Sequence, residues 1–548
     1  MKPRILLTSV FGPYARDDEH GSRAVNPMEL YHNQVTRAQD VFSLRMFHRS
    51  WGLMLIQANI QAPSTLLDFP SLERFVEEIR TREYDVVGIS AILPNLGKVA
   101  RMCTLVRQHQ PKATIVVGGH IANHPRLASL IDADQIVRGE GVRWFREFLG
   151  EDLDRPFSHP VVESAIETRA LGVKLRQRPG DVAATLIPSV GCPLGCNFCS
   201  TSAMFGGKGR FVSFYETGDQ LFAVMRELEA ALHTQSFFVM DENFLLHRKR
   251  ALRLLELMRA HEKPWSLYVF SSANTLRRYS DDELVGLGLS WVWLGLEGKD
   301  SSYGKLHGSD TRALVERLQS HGIRVLGSSI VGLPEHTPQN IEDAIGHAVA
   351  HDTEFHQFML YTPLPGTALY EEHQAAGTLL DEDECAPADT HGQTRFNFRH
   401  PHLAAGSETR LLLEAFERDF DTNGPSIARI GRTLLRGWLR HKDHPEARVR
   451  ARYRRECADL SSVYAGVLWA SERWLRRNAP LGERLRSVRA GIEAAFGLRA
   501  RIAAPLVGSA LLVAMARERR RLRAGRAYEP PTFYETAARF VAPPLLES

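Results

Sequence analysis

Three cysteines in one short loop are the residues of this chain best suited to chemistry. Residues 191–199 read G-C-P-L-G-C-N-F-C and follow the apolar run 184–190, which predicts a strand. Thiolates this close together in sequence can converge on one metal centre without help from distant parts of the chain. A zinc site, a disulfide framework and an iron–sulfur cluster are the three interpretations of such a loop.

The other cysteines help to choose between these interpretations. A structural zinc ion takes four closed ligands, usually as two separated pairs, whereas Cys103, Cys385 and Cys457 are scattered and supply no evident fourth ligand. Disulfides are disfavoured because only six cysteines occur in 548 residues and the first residues do not resemble a secretory leader. An iron–sulfur cluster accepts thiolates in short runs. Three thiolates would leave one iron open to an exogenous ligand.

The spacing C-x-x-x-C-x-aromatic-C after a strand resembles the signature of the radical S-adenosylmethionine superfamily. This resemblance implies that Cys192, Cys196 and Cys199 hold a [4Fe–4S] cluster whose fourth iron is chelated by the amino and carboxylate groups of S-adenosylmethionine. It also implies that Phe198 packs on the adenine ring. One-electron reduction of the bound sulfonium would give a 5′-deoxyadenosyl radical that abstracts hydrogen from the substrate.

Three further stretches resemble cofactor-binding segments of the same family. Asp241 and Glu242 follow the second predicted barrel strand, where the family presents polar groups to the methionine amine; an ordinary acidic turn is the alternative. Residues 328–335 resemble the adenine-seating G-x-I-x-G-x-x-E, with serine in place of the first glycine. The residues carried over from that match are Ile330, Gly332 and Glu335. Glu297 stands where the fourth strand offers a ribose ligand, and its alternative is a solvated carboxylate.

Strand-like and amphipathic segments alternate after the cysteine loop. The predicted strands are residues 236–244, 266–271, 291–297, 323–332 and 355–362, and the predicted helices are residues 222–232, 248–261, 281–287, 311–321 and 340–349. This alternation predicts a parallel sheet, which we interpret as a partial (β/α)6 TIM-type barrel over residues 181–400. Residues 363–370, P-L-P-G-T-A-L-Y, resemble the end of the sixth strand in cobalamin-associated members of the family.

Residues 1–150 read as a separate doubly wound, Rossmann-like α/β domain. The predicted strands are residues 5–8, 52–60, 84–90 and 113–120, and the predicted helices include residues 72–80 and 98–108. Near-continuous apolar strands followed by helices are typical of a parallel sheet that is covered on both faces. Residues 151–180 would then be a linker to the barrel.

Glycine-rich turns at the carboxyl ends of such strands are where open sheets bind ligands, and residues 90–95, 118–120 and 138–141 are predicted to lie there. Together they resemble the cobalamin-binding domain fused ahead of many radical enzymes. The residues carried over are Ser90, Leu93, Gly118, Gly119, Gly139 and Glu140. The motif D-x-H-x-x-G, which supplies a histidine to cobalt elsewhere, is absent after the first strand, although radical members often hold the corrin without it. A degenerate domain that binds nothing is the alternative.

Residues 401–548 are predicted to be basic and mainly helical. The net charge is only +4, but between residues 425 and 527 basic residues outnumber acidic ones roughly three to one. Residues 448–455 and 517–523 predict helices with a positive face. The apolar run 502–516 is too short to span a bilayer; it could lie in an anionic membrane interface, but we favour a buried helix that packs the tail onto the barrel. Nucleic-acid binding is not expected, because aromatic residues are not interleaved.

The sequence therefore predicts a cytoplasmic, cobalamin-dependent radical S-adenosylmethionine enzyme that methylates an unactivated carbon. The methyl group would pass from methylcobalamin to a substrate radical, and a second S-adenosylmethionine would restore it. Expected partners are a small-molecule or lipid substrate and an electron donor such as flavodoxin or ferredoxin, with possible contact of the tail with the inner membrane face. Cyclisation, rearrangement or oxidation without methyl transfer, and a non-catalytic iron–sulfur protein, remain as alternatives. A methylthiotransferase is disfavoured, since neither cysteines for a second cluster nor a tRNA-binding module is visible.

Overall fold

Two six-stranded sheets organise the chain. The computed structural model describes residues 2–12, 35–175, 182–296, 310–526, 528 and 531–537. The strands of the N-terminal part are β1 (Ile5–Ser9), β2 (Arg45–Phe47), β3 (Ser64–Asp68), β4 (Val86–Ser90), β5 (Thr114–Gly118), β6 (Gln135–Ile136), β7 (Ile166–Ala170) and β8 (Val173–Lys174). Its helices are α1 (Trp51–Asn59), α2 (Leu72–Thr81), α3 (Leu96–His109), α4 (Leu127–Leu130) and α5 (Gly141–Phe148), with short 3-10 turns at Asp40–Phe42, Leu93–Asn95 and His120–Asn123.

The first sheet is doubly wound. Strands β3, β1, β4, β5 and β6 lie side by side in that order and are all parallel. All five residues of β1 are buried, because helices cover both faces of the sheet. The direction in which strands are added reverses between β1 and β4, and ligands of open α/β sheets bind at such a switch point, beyond the carboxyl ends of the strands.

One predicted strand of this domain is wrong. Residues 52–60 were expected to be extended, but Trp51–Asn59 forms helix α1, and the strand follows at Ser64–Asp68. Leucine, methionine, glutamine and alanine favour a helix more than a strand. In the interval predicted to be a linker, β7 pairs antiparallel with β2 and β8, so these segments form a small three-stranded sheet of their own.

The second sheet contains six parallel strands in sequential order. The strands between residues 184 and 360 are β9 (Ala184–Leu186), β10 (Ser189–Val190), β11 (Val212–Ser213), β12 (Ser236–Val239), β13 (Ser266–Ser271), β14 (Leu289–Gly295), β15 (Arg324–Val331) and β16 (Phe355–Leu360). Its helices are α6 (Ser200–Met204), α7 (Gly218–Leu232), α8 (Arg248–Ala260), α9 (Ala273–Leu276), α10 (Asp281–Gly286), α11 (Thr311–Ser320), α12 (Ile341–Val349) and α13 (Ala368–Ala375), with 3-10 turns at Phe244–Leu246 and Pro387–Asp389. The order is β9-β12-β13-β14-β15-β16, the partial barrel that the alternation predicted, and β10 and β11 form a separate hairpin.

The two faces of the barrel strands differ in side-chain type. Residues facing the helices are aliphatic and fully buried, for example Val269 and Val292. Residues on the other face are aromatic: the ring of Phe270 stacks on that of Trp293 with centroids 4.9 Å apart, and Trp291 stacks on Phe355 at 5.1 Å. The two-residue period of a strand therefore separates the outer core from an aromatic inner wall.

The C-terminal region packs against the amino-terminal end of the barrel. It contains α14 (Glu408–Asn423), α15 (Ser426–His441), α16 (Ala447–Glu456), a π-helical turn (Leu460–Tyr464), α17 (Ala465–Trp474), α18 (Ala479–Phe496), α19 (Leu498–Arg523) and β17 (Phe533–Ala537). The predicted positive face of residues 448–455 is wrong in part, because Arg448 and Arg452 are buried and donate to the carbonyl oxygens of Gly286 and Val285.

Two further expectations for the tail need correction. Helix α19 is not a buried helix, because its face away from α17 and from the turn at Leu171–Gly172 is exposed, and an 18-residue apolar window within it is 22% buried. This is a helix long and apolar enough, by length and composition, to cross a membrane. The tail is also not wholly helical, since β17 pairs antiparallel with β3 and becomes the outermost strand of the first sheet.

Candidate active site

The cysteine loop follows β10, beyond the carboxyl end of β9, and leads into α6. Cys199 caps that helix, and its sulfur accepts the amide N–H of Ser202 at 3.4 Å. The Ser202 hydroxyl donates to the Cys192 carbonyl at 2.8 Å, which closes the loop on itself. Gly195 adopts a φ of +60°, and a Cβ there would lie 2.4 Å from the Cα of Lys208. Glycine is therefore required for this part of the loop to approach its neighbour.

Burial dominates the electrostatics of the thiols. Burial first, and then the nearby Cys199, Cys196 and Glu242, raise the pKa of Cys192 to about 11. The pKa of Cys199 is also raised, first by burial. A cation that shares the site would favour the thiolate form of Cys192 and Cys199, which is the situation of ligands to an iron centre.

A cavity of about 380 Å³ opens beside the three cysteines, at the carboxyl ends of the barrel strands. Phe198 and Ile330, two of the predicted adenine contacts, line it. The cavity also contains Ser328, the residue that replaces the family glycine, whose hydroxyl donates to Gln357. The structure thus brings the cysteine loop and the end of β15 into one cavity.

The two adjacent acidic residues point in different directions. Glu242 lines the cavity, and burial raises its pKa to about 7. Its Oε2 is buried and accepts no hydrogen bond from the described part of the chain. Asp241 instead accepts from Arg250 and from the Ser189 hydroxyl, each at 2.5 Å, and is 2% exposed. The prediction that both contact the cofactor is therefore revised: Asp241 positions the turn, and Glu242 is the free acceptor.

The residues matched to the adenine-seating motif also differ in position: Ile330 lines the cavity, whereas Gly332 and Glu335 do not. Gly332 is buried, with φ +76°, and a Cβ there would lie 2.4 Å from the Phe396 ring, so its role is close packing and it does not line the cavity. Glu335 is exposed on the loop after β15 and also lies outside the cavity lining. The buried His336 organises the loop instead, since its Nδ1 accepts the amide N–H of Gly332 at 3.0 Å. Glu297 lies outside the described residues.

Several cavity residues were missed from the sequence. Asn243 accepts from the Ser271 hydroxyl and donates to that of Ser272, so three polar side chains from the ends of β12 and β13 form one wall. Phe270 and Trp293 form an aromatic wall. The signal for both was their position at the carboxyl ends of strands, the edge that carries the active site in parallel barrels.

A second cleft, of about 150 Å³, lies between the first sheet and the cysteine-loop helix. The predicted corrin-contacting residues on its walls are Ser90, Gly118, Gly119, Gly139 and Glu140. Leu93 is buried but does not line it; it lies in a 3-10 turn that packs against the turn Pro387–Asp389. The carboxylate of Glu140 caps α5 by accepting the amide N–H of Arg143 at 2.8 Å. The described side chains around this cleft include no histidine.

The first domain presents this edge directly to the cysteine loop. The opposite wall of the cleft is formed by the barrel residues Val190, Met204, Phe205 and Phe214. The Asn123 amide donates to the Ser200 carbonyl at 3.4 Å, and the Arg138 guanidinium donates to Asn123 at 3.2 Å. Gly366, in the turn after β16, has φ +82° and packs on Arg138 and Asn123. The ligand-binding edges of the two sheets therefore face one another.

These donor sets fit the implied groups. Among residues 2–12, 35–175, 182–296 and the described remainder, no three His, Cys, Asp or Glu side chains converge as a single metal ion requires. A cubane cluster needs no such convergence, since each thiolate binds a different iron. A Cβ at Gly118 or Gly139 would have no neighbour closer than 3.6 Å, so the missing side chains leave a hollow for a ligand.

Comparison with known proteins gives matches in both regions. Residues 47–149 match the B12 binding domain, and residues 186–348 match the Radical SAM superfamily. An uncharacterized methyltransferase of Pyrococcus horikoshii is 26% identical over 352 residues, which cover 57% of this chain and 74% of that protein. The bacteriochlorophyllide d C-8(2)-methyltransferase of Chlorobaculum tepidum is 24% identical over 362 residues, which cover 62% of this chain and 78% of that protein.

A solved structure extends the match to the fold. The radical S-adenosylmethionine methyltransferase TsrM from Kitasatospora setae, determined with cobalamin and a [4Fe-4S] cluster bound, superposes with a TM-score of 0.50 at 17% identity and covers 84% of this chain and all of that one. The barrel and its cysteine loop lie in the region that matches the Radical SAM superfamily. The B12 binding domain match precedes the Radical SAM match, so the chain carries the two domains in the order that the sequence analysis expects of a cobalamin-binding radical S-adenosylmethionine protein.

Proposed function

We propose that this protein is a cobalamin-dependent radical S-adenosylmethionine enzyme that transfers a methyl group to an unactivated carbon. The observation that carries the proposal is the apposition of the two ligand edges, because the cleft of the first sheet opens onto the helix that follows the three cysteines. A methyl donor held by one domain is thereby within reach of a substrate held in the other.

The bound groups would supply one-electron chemistry at the cluster, hydrogen abstraction by the nucleoside, and a transferable methyl at cobalt. The side chains of the protein would hold these groups in place. Cys192, Cys196 and Cys199 would hold the cluster, and the unpaired Oε2 of Glu242 would accept from the amine of S-adenosylmethionine. Phe198 and Ile330 would pack on the adenine.

The substrate is proposed to be a small molecule with an apolar or ring-containing portion. Phe270, Trp293 and Met359 line the cavity and offer stacking and dispersion contacts. A diffusible reductant such as flavodoxin or ferredoxin is the proposed electron source. We assign residues 1–150 to the cobalamin domain, 181–400 to the barrel and 401–548 to a supporting C-terminal region.

The proposal is tested with the anaerobically reconstituted full chain, cobalamin and methyl-labelled S-adenosylmethionine. We expect 5′-deoxyadenosine on reduction and label recovered in the cobalamin fraction, neither of which requires the substrate to be known. The Cys192→Ala variant should retain the cobalamin label and lose 5′-deoxyadenosine. Formation of 5′-deoxyadenosine with no label on cobalamin would favour the alternative class that cyclises or rearranges without methyl transfer, and protein that takes up only zinc would refute the assignment.

A further inference from the structure

Helix α19 exposes a row of large apolar side chains that neither cofactor site uses. Leu498 is 71% exposed, Leu506 69%, Val513 53% and Ile502 51%. At 100° per residue these four positions fall within about 80° of one another around the helix axis, and they extend along about 22 Å of its length. They therefore form one stripe, interrupted by the exposed Ser509 between Leu506 and Val513, which we call the apolar stripe of α19.

The opposite face of α19 is fixed to the protein. A Cβ at Gly508 would lie 2.5 Å from the Trp469 ring, and a Cβ at Gly466 would lie 2.6 Å from Val507, so α17 and α19 pack with almost no space between them. Met515 is fully buried on the same side. Because this face of α19 is packed against α17, the helix cannot rotate to bury the apolar stripe.

Positive charge surrounds the apolar stripe. The exposed basic residues of the helix are Arg499, Arg501, Arg517, Arg520 and Arg523. The only acidic residue in α19, Glu518, is buried and accepts from Arg521. An exposed apolar stripe flanked by arginines, with no exposed carboxylate on the helix, is complementary to a surface that is both apolar and negatively charged.

The helix fits a position along a membrane better than one across it. Arg499 and Arg501 stand beside Leu498 and Ile502, and a spanning orientation would place them in the hydrocarbon. Crossing would also break the packing of Gly508 on Trp469. In a parallel orientation the apolar stripe enters the acyl boundary while the arginines stay at the level of the lipid phosphates.

We propose that the apolar stripe of α19, with its flanking arginines, docks the enzyme on the surface of an anionic lipid bilayer. This is independent of the proposed methyl transfer, because it rests only on α19 and its neighbours. The site would bring the barrel to a substrate or product that resides in the membrane.

The test is sedimentation of the full chain with phosphatidylglycerol–phosphatidylcholine vesicles and with phosphatidylcholine vesicles. We expect binding to the first, weak binding to the second, and loss of binding at high salt. Leu498→Glu with Leu506→Glu should weaken binding at least about tenfold, and Arg517→Gln with Arg520→Gln about thirtyfold. Val161→Glu, at a residue 51% exposed in the segment between the domains, is the matched control and should change binding less than about twofold.

Folding of each variant is checked by its melting temperature, which should not change, because the substituted side chains are exposed. Wild-type protein that sediments with neither vesicle would overturn the proposal. So would equal binding to both vesicles at all salt concentrations. If the protein does not bind vesicles but forms a concentration-dependent dimer, and Leu498→Glu with Leu506→Glu abolishes that dimer, the apolar stripe would instead be a contact with a second copy of the chain.

Discussion

Replacing Glu456 by glutamine should loosen the C-terminal region from the base of the barrel. The Glu456 carboxylate accepts from Arg324 at 2.7 Å and from the Ser266 hydroxyl at 2.5 Å, and the Arg452 guanidinium lies 3.7 Å away. All three ionic side chains are 9% exposed or less. Glutamine preserves the shape and removes only the charge, so it leaves two buried guanidinium groups without their counter-ion.

Removing one partner of a buried ion pair costs about 3–5 kcal/mol. For a cooperative unit of 150–250 residues, about the size of the barrel, 1 kcal/mol shifts the melting temperature by roughly 2–4 °C. Taking the lower energy, we expect Glu456→Gln to melt about 6–12 °C below the wild type. Glu316→Gln is the control, because Glu316 also pairs with a tail residue, Arg436, but is 65% exposed. That pair is worth at most about 1 kcal/mol.

The assay is thermal unfolding of the apo chain followed by circular dichroism. A fall of less than about 2 °C for Glu456→Gln, or equal falls for it and the control, would refute the view that this buried charge network holds the tail.

The same network predicts a pH dependence. Burial alone would raise the pKa of Glu456, but Arg324 and Arg452 outweigh it and hold the pKa below the usual carboxyl range. A depressed pKa contributes stability above the unfolded value of about 4.3, and that stability is lost as pH falls through the folded pKa. The gap in melting temperature between wild type and Glu456→Gln should therefore stay constant from about pH 6 to 8 and narrow below about pH 4.3.

Three substitutions test the cofactor sites. Cys192→Ala should lose bound iron because a cluster ligand is gone, whereas Cys103→Ala, at a thiol buried in the first domain, should retain it; iron retained by Cys192→Ala would contradict the assignment. Glu242→Gln should weaken S-adenosylmethionine binding about tenfold in equilibrium dialysis at unchanged iron content. Unchanged affinity would exclude Glu242 as an amine acceptor. Gly139→Val should reduce cobalamin retention by placing a side chain in the cleft, while Gly150→Val, also at a positive φ but in open space, should not. Equal losses would indicate backbone strain instead.

The barrel was the most predictable part of the fold. The strand predicted at residues 266–271 is β13, Ser266–Ser271, because turn residues and a change from a two-residue to a helical period mark its ends. The strand predicted at residues 52–60 was wrong for the opposite reason. An apolar run without a clear period is compatible with a helix or a strand, and only packing decides which of the two forms. Strand β17 exists only through its pairing with β3, which no local signal in the sequence reveals.

The site was predictable to the level of segments. Its edge of the barrel followed from topology, but the roles of Asp241 and Glu242 depend on Arg250, which takes one carboxylate and leaves the other. Likewise, the match to the adenine motif could not show that Glu335 is exposed while His336 is buried. Side-chain direction within a loop depends on partners that are close in space and distant in sequence.

The return of β17 to the first sheet affects how this protein is made. Domains generally fold in order as they leave the ribosome, but the outer edge of β3 stays open until residues 533–537 have been synthesised. An uncovered strand edge is a template for association with other chains. The first domain is therefore the one that needs protection longest during translation, although its own residues emerge first.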